Sequence, residues 1–219
     1  MKKYLIVLFI GLFSGTFVFS QLNTKRVVFD VFPGTFYLND FQINNLLEQN
    51  GFSKIKKSVD GIGLAFYIPV NDNFLMLTRM NIFNTFTQKN GDNQTDYSLL
   101  FANVSLGYYL SKSDIWSIFL SAGPSYMANY LTLTQKGSID MANLAQSTAK
   151  QYNLSLGAPM ISLAVNNEFF TSKWYRFAVI VGFNLSLSKA EWTSKNAFVS
   201  GNLNTENLNS IYLSVSKIF

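Results

Sequence analysis

Apolar and polar residues alternate with a period of two along most of the chain. Residues 176–192 show this most clearly, because one face carries only large apolar side chains: Phe177, Val179, Val181, Phe183, Leu185 and Leu187. The opposite face is mostly small or polar: Ala178, Ile180, Gly182, Asn184, Ser186 and Ser188. Successive side chains of a strand point to opposite sides, so the pattern predicts a strand with one strongly apolar face.

The same alternation predicts eight strands, at 26–38, 61–70, 74–87, 97–110, 116–134, 153–170, 175–192 and 207–219. Turn-forming residues separate them. Three connections are predicted to be tight, at 71–73, 111–114 and 171–173, and four to be long, at 39–60, 88–96, 135–152 and 193–206. Tight and long connections alternate, so we expect one short end of the sheet and one elaborate end.

Residues 40–51 depart from the strand pattern and predict a short helix. Asp40 is a candidate N-cap, Ile43, Leu46 and Leu47 share a helical face, and Gly51 is a candidate terminator. Two interpretations stay open: the helix packs over one mouth of the fold, or it binds a partner.

The second face of the strands separates a membrane barrel from a soluble one. A face exposed to water is rich in charged residues, yet residues 97–110, 116–134 and 152–167 contain no charged residue. Small neutral side chains suit the crowded inside of a narrow barrel, and the apolar face must then meet lipid. We therefore predict an all-β fold: an eight-stranded antiparallel up-and-down transmembrane β-barrel with short periplasmic turns and long extracellular loops.

Composition agrees with this fold and narrows the chemistry. Of 219 residues, 48% are hydrophobic, 16% aromatic and only 13% charged, against roughly 25% charged in soluble domains. Cysteine and histidine are absent, so disulfides, imidazole ligands and the commonest general base are excluded. Asp92, Asp96 and Asp140 lack the spacing of a calcium loop. We expect no enzyme activity, no metal and no cofactor. The net charge of +5 is dispersed, so we expect no nucleic-acid partner.

The first residues predict export. Lys2 and Lys3 precede an apolar run at 4–13, and Ser20 stands at the expected cleavage point before Gln21. Residues 1–20 are therefore predicted to be a signal peptide and 21–219 the barrel domain. The remaining alternative is an uncleaved membrane anchor.

The last strand carries a terminal signature. Ile211, Leu213, Val215 and Phe219 share one face, and the chain stops on the aromatic residue. This pattern resembles small outer-membrane barrels: the OmpX-like proteins, the OmpA transmembrane domain and the PorT-like family. The resemblance implies a location in the outer membrane of a Gram-negative cell and recognition by the barrel assembly machinery. Lys217 departs from the signature, where an apolar residue is usual. We expect this strand to pair with the first.

Two further sets of residues are predicted from the barrel geometry. Aromatic side chains gather at membrane interfaces, and the candidates are Trp116, Trp174, Tyr175 and Trp192. Interior ion pairs are expected near the periplasmic half among Asp30, Arg79, Glu168 and Arg176. Glu168 and Arg176 lie equally far from residue 172, so they are predicted to face each other across a hairpin.

The function predicted from these features is non-catalytic. Eight strands leave an interior that side chains fill, with Phe101, Tyr109 and Tyr212 among them. We expect a structural or binding protein of the outer membrane that contacts lipid and presents its long loops to an extracellular or envelope partner. Two alternatives remain: a narrow pore or a transport or secretion accessory protein, and a soluble periplasmic lipocalin-like ligand binder.

Overall fold

The computed structural model describes residues 28–113, 115–137, 150–172, 175–194 and 205–218, so the predicted signal peptide lies outside the described residues. Their elements in chain order are β1 (Val28–Leu38), α1 (Ile43–Gln49), β2 (Ser58–Pro69), β3 (Phe74–Asn90), β4 (Asn93–Lys112), β5 (Trp116–Gln135), β6 (Lys150–Ser172), β7 (Tyr175–Ser186), β8 (Ala190–Glu191), β9 (Thr193–Ser194), β10 (Thr205–Glu206) and β11 (Ser210–Ile218).

The eight long strands form a closed antiparallel ring in the order β5-β4-β3-β2-β1-β11-β7-β6, and pairing of β5 with β6 closes it. The last strand pairs with the first, with Tyr212 opposite Phe36, as predicted. Closure matters because each strand of the ring then has a neighbour on both sides to pair with its backbone N–H and C=O groups. At an open sheet edge in lipid these groups would have no hydrogen-bond partner. The predicted barrel fold is confirmed.

The strands are unequal in length, and this makes the barrel taller on one side. A tilted crossing needs about 9–11 residues, whereas β4 and β5 have 20 residues each and β6 has 23. β1, by contrast, has 11. The long-connection end of β3, β4, β5 and β6 therefore rises above the other four strands as a four-stranded wall.

This wall corrects one predicted long connection. Residues 88–96 do not form a loop, because β3 and β4 stay paired up to Asn90 and Asn93. Gly91 adopts a φ of 59° in the tight turn between them, a conformation that two-residue hairpins favour and glycine tolerates. The stretch is polar, so hydrophobic alternation could not reveal that the ladder continues through it.

The strand predicted at 175–192 is also shorter than expected. β7 ends at Ser186, and the chain then forms the short strands β8 and β9. β8 pairs with β10, whereas β9 pairs with the upper part of β6 and extends the sheet there.

The helix is confirmed, but its predicted cap is wrong. α1 begins at Ile43 with Gln42 as N-cap residue, and Asp40 lies earlier in the chain, where its Oδ1 accepts a hydrogen bond from Asn44 Nδ2 at 3.0 Å. Gly51 follows the helix with a φ of 74°, as expected of a helix terminator. Among the residues described here, no helix is long and apolar enough to cross a membrane.

The faces of the strands are oriented as predicted. On β4, Val104, Leu106 and Leu110 point outward and are exposed, whereas Tyr97, Leu99 and Phe101 are buried inside. Phe177, Val181, Phe183, Leu185 and Leu187 of the 176–192 segment are likewise exposed. On β2 the alternation predicts Ile62, Leu64, Phe66 and Ile68 on one outward face, and the first three are exposed. Ile68 is the exception and is buried, because the alternation breaks beside the 70–73 turn, where Tyr67 is buried too.

Two interruptions divide the ring into halves. The β4–β5 ladder skips the pairs between Asn103–Ser125 and Leu106–Ala122, where Pro124 stands. The β1–β11 ladder skips the pairs between Val31–Lys217 and Gly34–Ser214, where Pro33 stands. Proline has no N–H to donate to a ladder. The two gaps lie on opposite sides of the ring, so each half contains four strands.

Candidate functional site

The outer surface carries an apolar belt. On β4 it extends from Leu100 to Leu110, which at about 3.3 Å per residue and a tilt near 40° corresponds to a height of roughly 25 Å. The same belt includes Ile62, Ile82, Leu163 and further exposed apolar residues around the ring. A continuous exposed apolar surface of this height matches the hydrocarbon thickness that membrane barrels span.

Aromatic side chains mark the tight-turn edge of the belt. Phe74 packs on Tyr108 with ring centroids 5.0 Å apart, and the backbone register places Trp116 opposite Phe169. The Trp116 indole is half-buried and donates to Asn167 Oδ1. This is the position of an interfacial girdle. The side chains of Trp174 and Tyr175, predicted for the same edge, lie outside the described residues.

Arg79 is buried at the centre of the barrel. Its Nη1 donates to Tyr212 Oη and its Nη2 donates to Asn166 Oδ1 at 3.0 Å. The guanidinium carbon also lies 5.8 Å from the centre of the Phe32 ring and 5.4 Å from that of Tyr212, so cation–π attraction adds to the hydrogen bonds. Asn166 in turn donates to Ser121 Oγ at 3.0 Å. A polar network therefore fills this level of the interior.

The two carboxylates predicted inside the barrel are also buried there. Asp30 Oδ2 accepts from Tyr67 Oη at 3.3 Å, and Glu168 Oε2 accepts from Ser117 Oγ at 2.8 Å. Asp30, Arg79 and Glu168 thus all lie inside the barrel, and Asp30 and Arg79 stand opposite the same residue, Ala65. That they pair with one another as ions stays a prediction.

The predicted facing of Glu168 and Arg176 is wrong. Glu168 stands opposite Ala178, and Arg176 stands opposite Phe170. The hairpin turns one residue later than the symmetric estimate, with a register irregularity between Phe170 and Ser172. Arg176 is therefore a diagonal rather than a direct neighbour of Glu168, and its side chain lies outside the described residues.

Aromatic and aliphatic side chains occupy the rest of the interior. Phe101 and Tyr212, both predicted to fill it, are 0% and 1% exposed, and Tyr109 packs on Phe119 with centroids 5.3 Å apart. Phe36 contacts Phe83, Phe101 and Tyr212 in one cluster. Among the described residues the interior is thus packed rather than open, as expected for eight strands.

Helix α1 covers the mouth at the long-connection end. Ile43 and Leu47 turn into the barrel and are buried, whereas Leu46, predicted for the same face, is 40% exposed. They join a core with strand residues such as Leu131 and Leu133, together with Phe41, Phe52 and Ile55 from the flanking segments. The first of the two interpretations of this helix, packing over a mouth, is therefore what the structure shows. We call residues 39–57 the cap.

Glu206 fastens the start of the helix. Its Oε2 accepts from the backbone nitrogen of Gln42 at 2.8 Å and its Oε1 from that of Ile43 at 2.9 Å. Trp192 Nε1 also donates to Oε1, at 3.1 Å. The first N–H groups of a helix have no partner within it, so a carboxylate from the distant β7–β11 connection takes the role of the missing side-chain cap.

The predicted interfacial role of Trp192 is wrong. The side chain is 1% exposed and packs on Phe41 with ring centroids 6.0 Å apart. The cause is that β7 ends at Ser186, so Trp192, between β8 and β9, does not continue the outer face of β7 and is turned inward against Phe41. Sequence reasoning missed Glu206 entirely, since its partners lie 163 and 164 positions away. No local pattern marks it.

The end of the cap is tied to the β3–β4 hairpin. Asn90 Nδ2 and Asn93 Nδ2 each donate to the Gly51 carbonyl at 3.1 Å. At the other end, Asp40 accepts a hydrogen bond from Asn44 and forms a salt bridge with Lys57, whose Nζ lies 3.2 Å from Oδ2. The hydrogen bond from Asn44, followed by that from Lys57, lowers the pKa of the Asp40 carboxyl below its usual value.

The terminal signature residues lie where the pattern placed them. Ile211, Leu213 and Val215 face outward on β11 and are exposed, whereas Phe219 lies outside the described residues. Their role in recognition by an assembly machinery stays a prediction.

Known proteins provide a comparison for this geometry. No family model and no curated protein matches the sequence. One similar solved structure is the outer membrane protein OprG of Pseudomonas aeruginosa, with a TM-score of 0.51, 14% identity and 88% of this chain and 95% of that chain covered. Another is a major outer membrane protein of Thermus thermophilus, with a TM-score of 0.50, 9% identity and coverage of 89% and 100%.

This chain has the fold of an outer-membrane β-barrel protein. The predicted resemblance to small outer-membrane barrels is confirmed at the level of the fold. Both similar proteins are described as outer-membrane proteins, which agrees with the outer-membrane location predicted from the sequence. Identities this low carry no residue roles from one chain to the other.

Proposed function

We propose that this chain is an integral outer-membrane protein with a non-catalytic structural or binding role. In this role the barrel is a closed anchor that displays the cap and the four-stranded wall outside the cell. The observation that carries the proposal is the combination of a lipid-height apolar belt outside with a packed interior under a fastened cap. A partner is expected to bind the wall, the cap or the loops, because these parts rise above the belt.

Two features argue against other functions. A sequence without histidine or cysteine offers neither the usual general base nor a thiol nucleophile. A route for solutes would have to pass Arg79, the ring cluster around Phe36 and α1, all of which are packed against neighbours. These features support a role in binding or envelope structure over catalysis or diffusion.

The orientation can be tested with single cysteines, because the chain has none of its own. Asp92→Cys places a thiol at the exposed tip of the β3–β4 hairpin, and Asn73→Cys places one in the exposed 70–73 turn at the opposite end. With a membrane-impermeant maleimide, Asp92→Cys is expected to react on intact cells and Asn73→Cys only after lysis. The reverse result would contradict the proposed orientation, and reaction of both on intact cells would contradict insertion.

The closed interior is tested separately in liposomes. Purified wild-type protein is expected to produce no swelling with small sugars, in contrast to an added porin. Swelling that requires the protein would instead favour the narrow-pore alternative.

A further inference from the structure

The outer face of the wall changes character abruptly above the belt. The last apolar row runs across neighbouring strands through Leu100, Ala128 and Gly157. The next row upward is polar and consists of Ser98, Tyr130, Ser155 and Thr193. The two rows are two positions apart on each strand, so the surface changes from apolar to hydrogen-bonding side chains over about 7 Å.

Two more polar rows complete this surface, which we call the upper polar face together with the Ser98 row. The middle row is Thr87, Asp96, Thr132 and Asn153, and the top row is Lys89, Gln94, Thr134 and Gln151. All twelve side chains are exposed or half-exposed. Of the residues between them, Thr95, Leu131 and Leu133 are buried inside, whereas Tyr152 is exposed. From strand spacing and rise the face measures roughly 14 by 14 Å.

Lateral hydrogen bonds hold the side chains of this face in fixed positions. Thr87 Oγ1 donates to Asp96 Oδ1 at 2.7 Å, and Gln94 Nε2 donates to Asp96 Oδ2 at 2.9 Å. Thr132 Oγ1 donates to Asn153 Oδ1 at 2.9 Å. Ordering these groups before binding reduces the entropy that a partner must remove.

The chemistry of the face favours neutral sugars over other partners. Its two charges, Lys89 and Asp96, cancel, so it lacks the cluster of cations that phosphate groups require. Hydroxyl and amide groups both donate and accept hydrogen bonds, which matches the hydroxyl groups of a saccharide. Tyr130 adds one aromatic ring at the lower edge, and no large aliphatic patch is present among these twelve residues for a protein core contact.

We propose that the upper polar face binds the neutral sugars of glycolipids that belong to the outer leaflet of the same membrane. The inference rests on the proposed function, which puts this end of the barrel outside the cell. The face directly continues the apolar belt, so a glycolipid whose acyl chains lie against Leu100 and the exposed Tyr126 would hold its sugars at the height of Thr132. Among the described strands only this side of the barrel has such a surface, because β1, β2, β7 and β11 end below it.

The test compares two glycolipids added to purified barrel in detergent micelles: one with an intact neutral sugar core and one truncated to lipid A and its acidic inner sugars. The readout is the temperature at which the heat-modified gel band replaces the folded band. For the wild type, the intact glycolipid is expected to raise this temperature by roughly 3 °C more than the truncated one. Equal shifts would overturn the proposal.

The main variant combines Thr87→Val, Thr132→Val and Thr134→Val, which removes three hydroxyl groups and keeps β-branched side chains. It is expected to lose the extra shift and keep the response to the truncated glycolipid. Thr78→Val, on the outer face of β3 within the belt, is the control and should behave as wild type. An unchanged extra shift in the triple variant would contradict sugar binding at this face. If the triple variant does not fold, Gln151→Ala, at an exposed position, replaces it as the test. It is expected to reduce the extra shift, and an unchanged extra shift would contradict the proposal.

Two arms separate the possible failures. Free neutral oligosaccharide at the same concentration is expected not to change the transition temperature. A shift equal to that of the intact glycolipid would contradict the proposal that the bound sugar belongs to a glycolipid. Labelling of Asp92→Cys only after lysis would contradict the proposed orientation itself. Labelling on intact cells combined with no extra shift would contradict only the sugar-binding inference.

Discussion

Glu206 accepts a hydrogen bond from the backbone nitrogen of Ile43 at 2.9 Å, across 163 positions of sequence. The contact joins the last connection of the barrel to the helix in its first connection. Both segments fold over the same mouth, so a single carboxylate holds the two coverings together. Glu206 also accepts hydrogen bonds from the backbone nitrogen of Gln42 and from Trp192 Nε1. Loss of its carboxylate therefore leaves three donors without this partner.

Glu206→Ala is expected to loosen the cap while the barrel stays closed. Loss of an N-cap interaction destabilises a helix by about 1–2 kcal/mol. Here we expect it to destabilise α1 and not the strand ladders. Trypsin should then cleave faster after Lys54 and Lys57, with the heat-modifiable gel shift retained. Glu191→Ala, an exposed glutamate of the same connection, is the control and should leave cleavage unchanged. Equal cleavage in both variants would show that Glu206 does not fasten the cap.

Gly182→Ala is expected to destabilise the barrel. A Cβ at this position would strike the ring of Tyr212, which is packed inside and bonded to Arg79. Overpacking of this kind costs about 1–3 kcal/mol, measured as urea resistance of the folded gel band. Gly91→Ala is the comparison: it has open space around it but a φ of 59°, so it should cost about 1 kcal/mol. A harmless Gly182→Ala would mean that Tyr212 can move aside.

Arg79→Met tests the central polar network. Methionine has a similar length but no donors, so Tyr212 Oη and Asn166 Oδ1 would lose a charged partner in a buried site. We expect a loss of about 2–4 kcal/mol in unfolding free energy. Adding Asn166→Leu to the Arg79→Met variant should recover part of this loss, because the buried amide that lost its partner is then replaced by an apolar side chain. Additive losses in the double variant would contradict coupling of the two side chains.

Backbone exchange should report the two interruptions of the ring. Amides beside the missing pairs, at residues 104–105 on β4 and 215–216 on β11, are expected to exchange with deuterium faster than amides farther along the same strands, since a ladder bond is missing. Pro124→Val restores an N–H and should slow exchange at 104–105 but not at 215–216. Uniform exchange along both strands would show that the gaps do not weaken the ring.

The contacts of Asp40 predict a pH dependence confined to the cap. Its pKa is lowered in the folded chain by Asn44 and Lys57, so its contribution to stability is complete above the usual carboxyl pKa and disappears as the pH falls through the lowered value. The protection of residues 41–57 against deuterium exchange, corrected for the intrinsic exchange rate at each pH, should therefore fall below about pH 4. Asp40→Asn should abolish this pH-dependent loss of protection. The carboxyl group is exposed, so we expect a small effect.

Hydrophobic alternation was enough to predict the ring and its two faces. It placed Leu106 and Val181 outside and Phe101 and Tyr212 inside, because a period of two assigns every strand residue to a side. It did not predict where β7 ends or that 88–96 is a hairpin, since polar segments show no alternation to follow. The Glu168–Arg176 error was a one-residue shift of a turn, and hairpin register depends on turn geometry that composition does not specify.

The sequence by itself therefore determined the class of the protein: strands with a lipid-compatible face, a scarcity of charge, and a first and last strand that pair. These are local properties, repeated along the chain, and each can be found within a window of about ten residues. Only the tertiary structure decided which side chains fill the mouth and the centre of the barrel. Glu206 accepts hydrogen bonds from the start of α1, Trp192 packs on Phe41, and Arg79 bonds to Tyr212 and Asn166. These contacts join residues far apart in sequence, and closure of the ring brings them together.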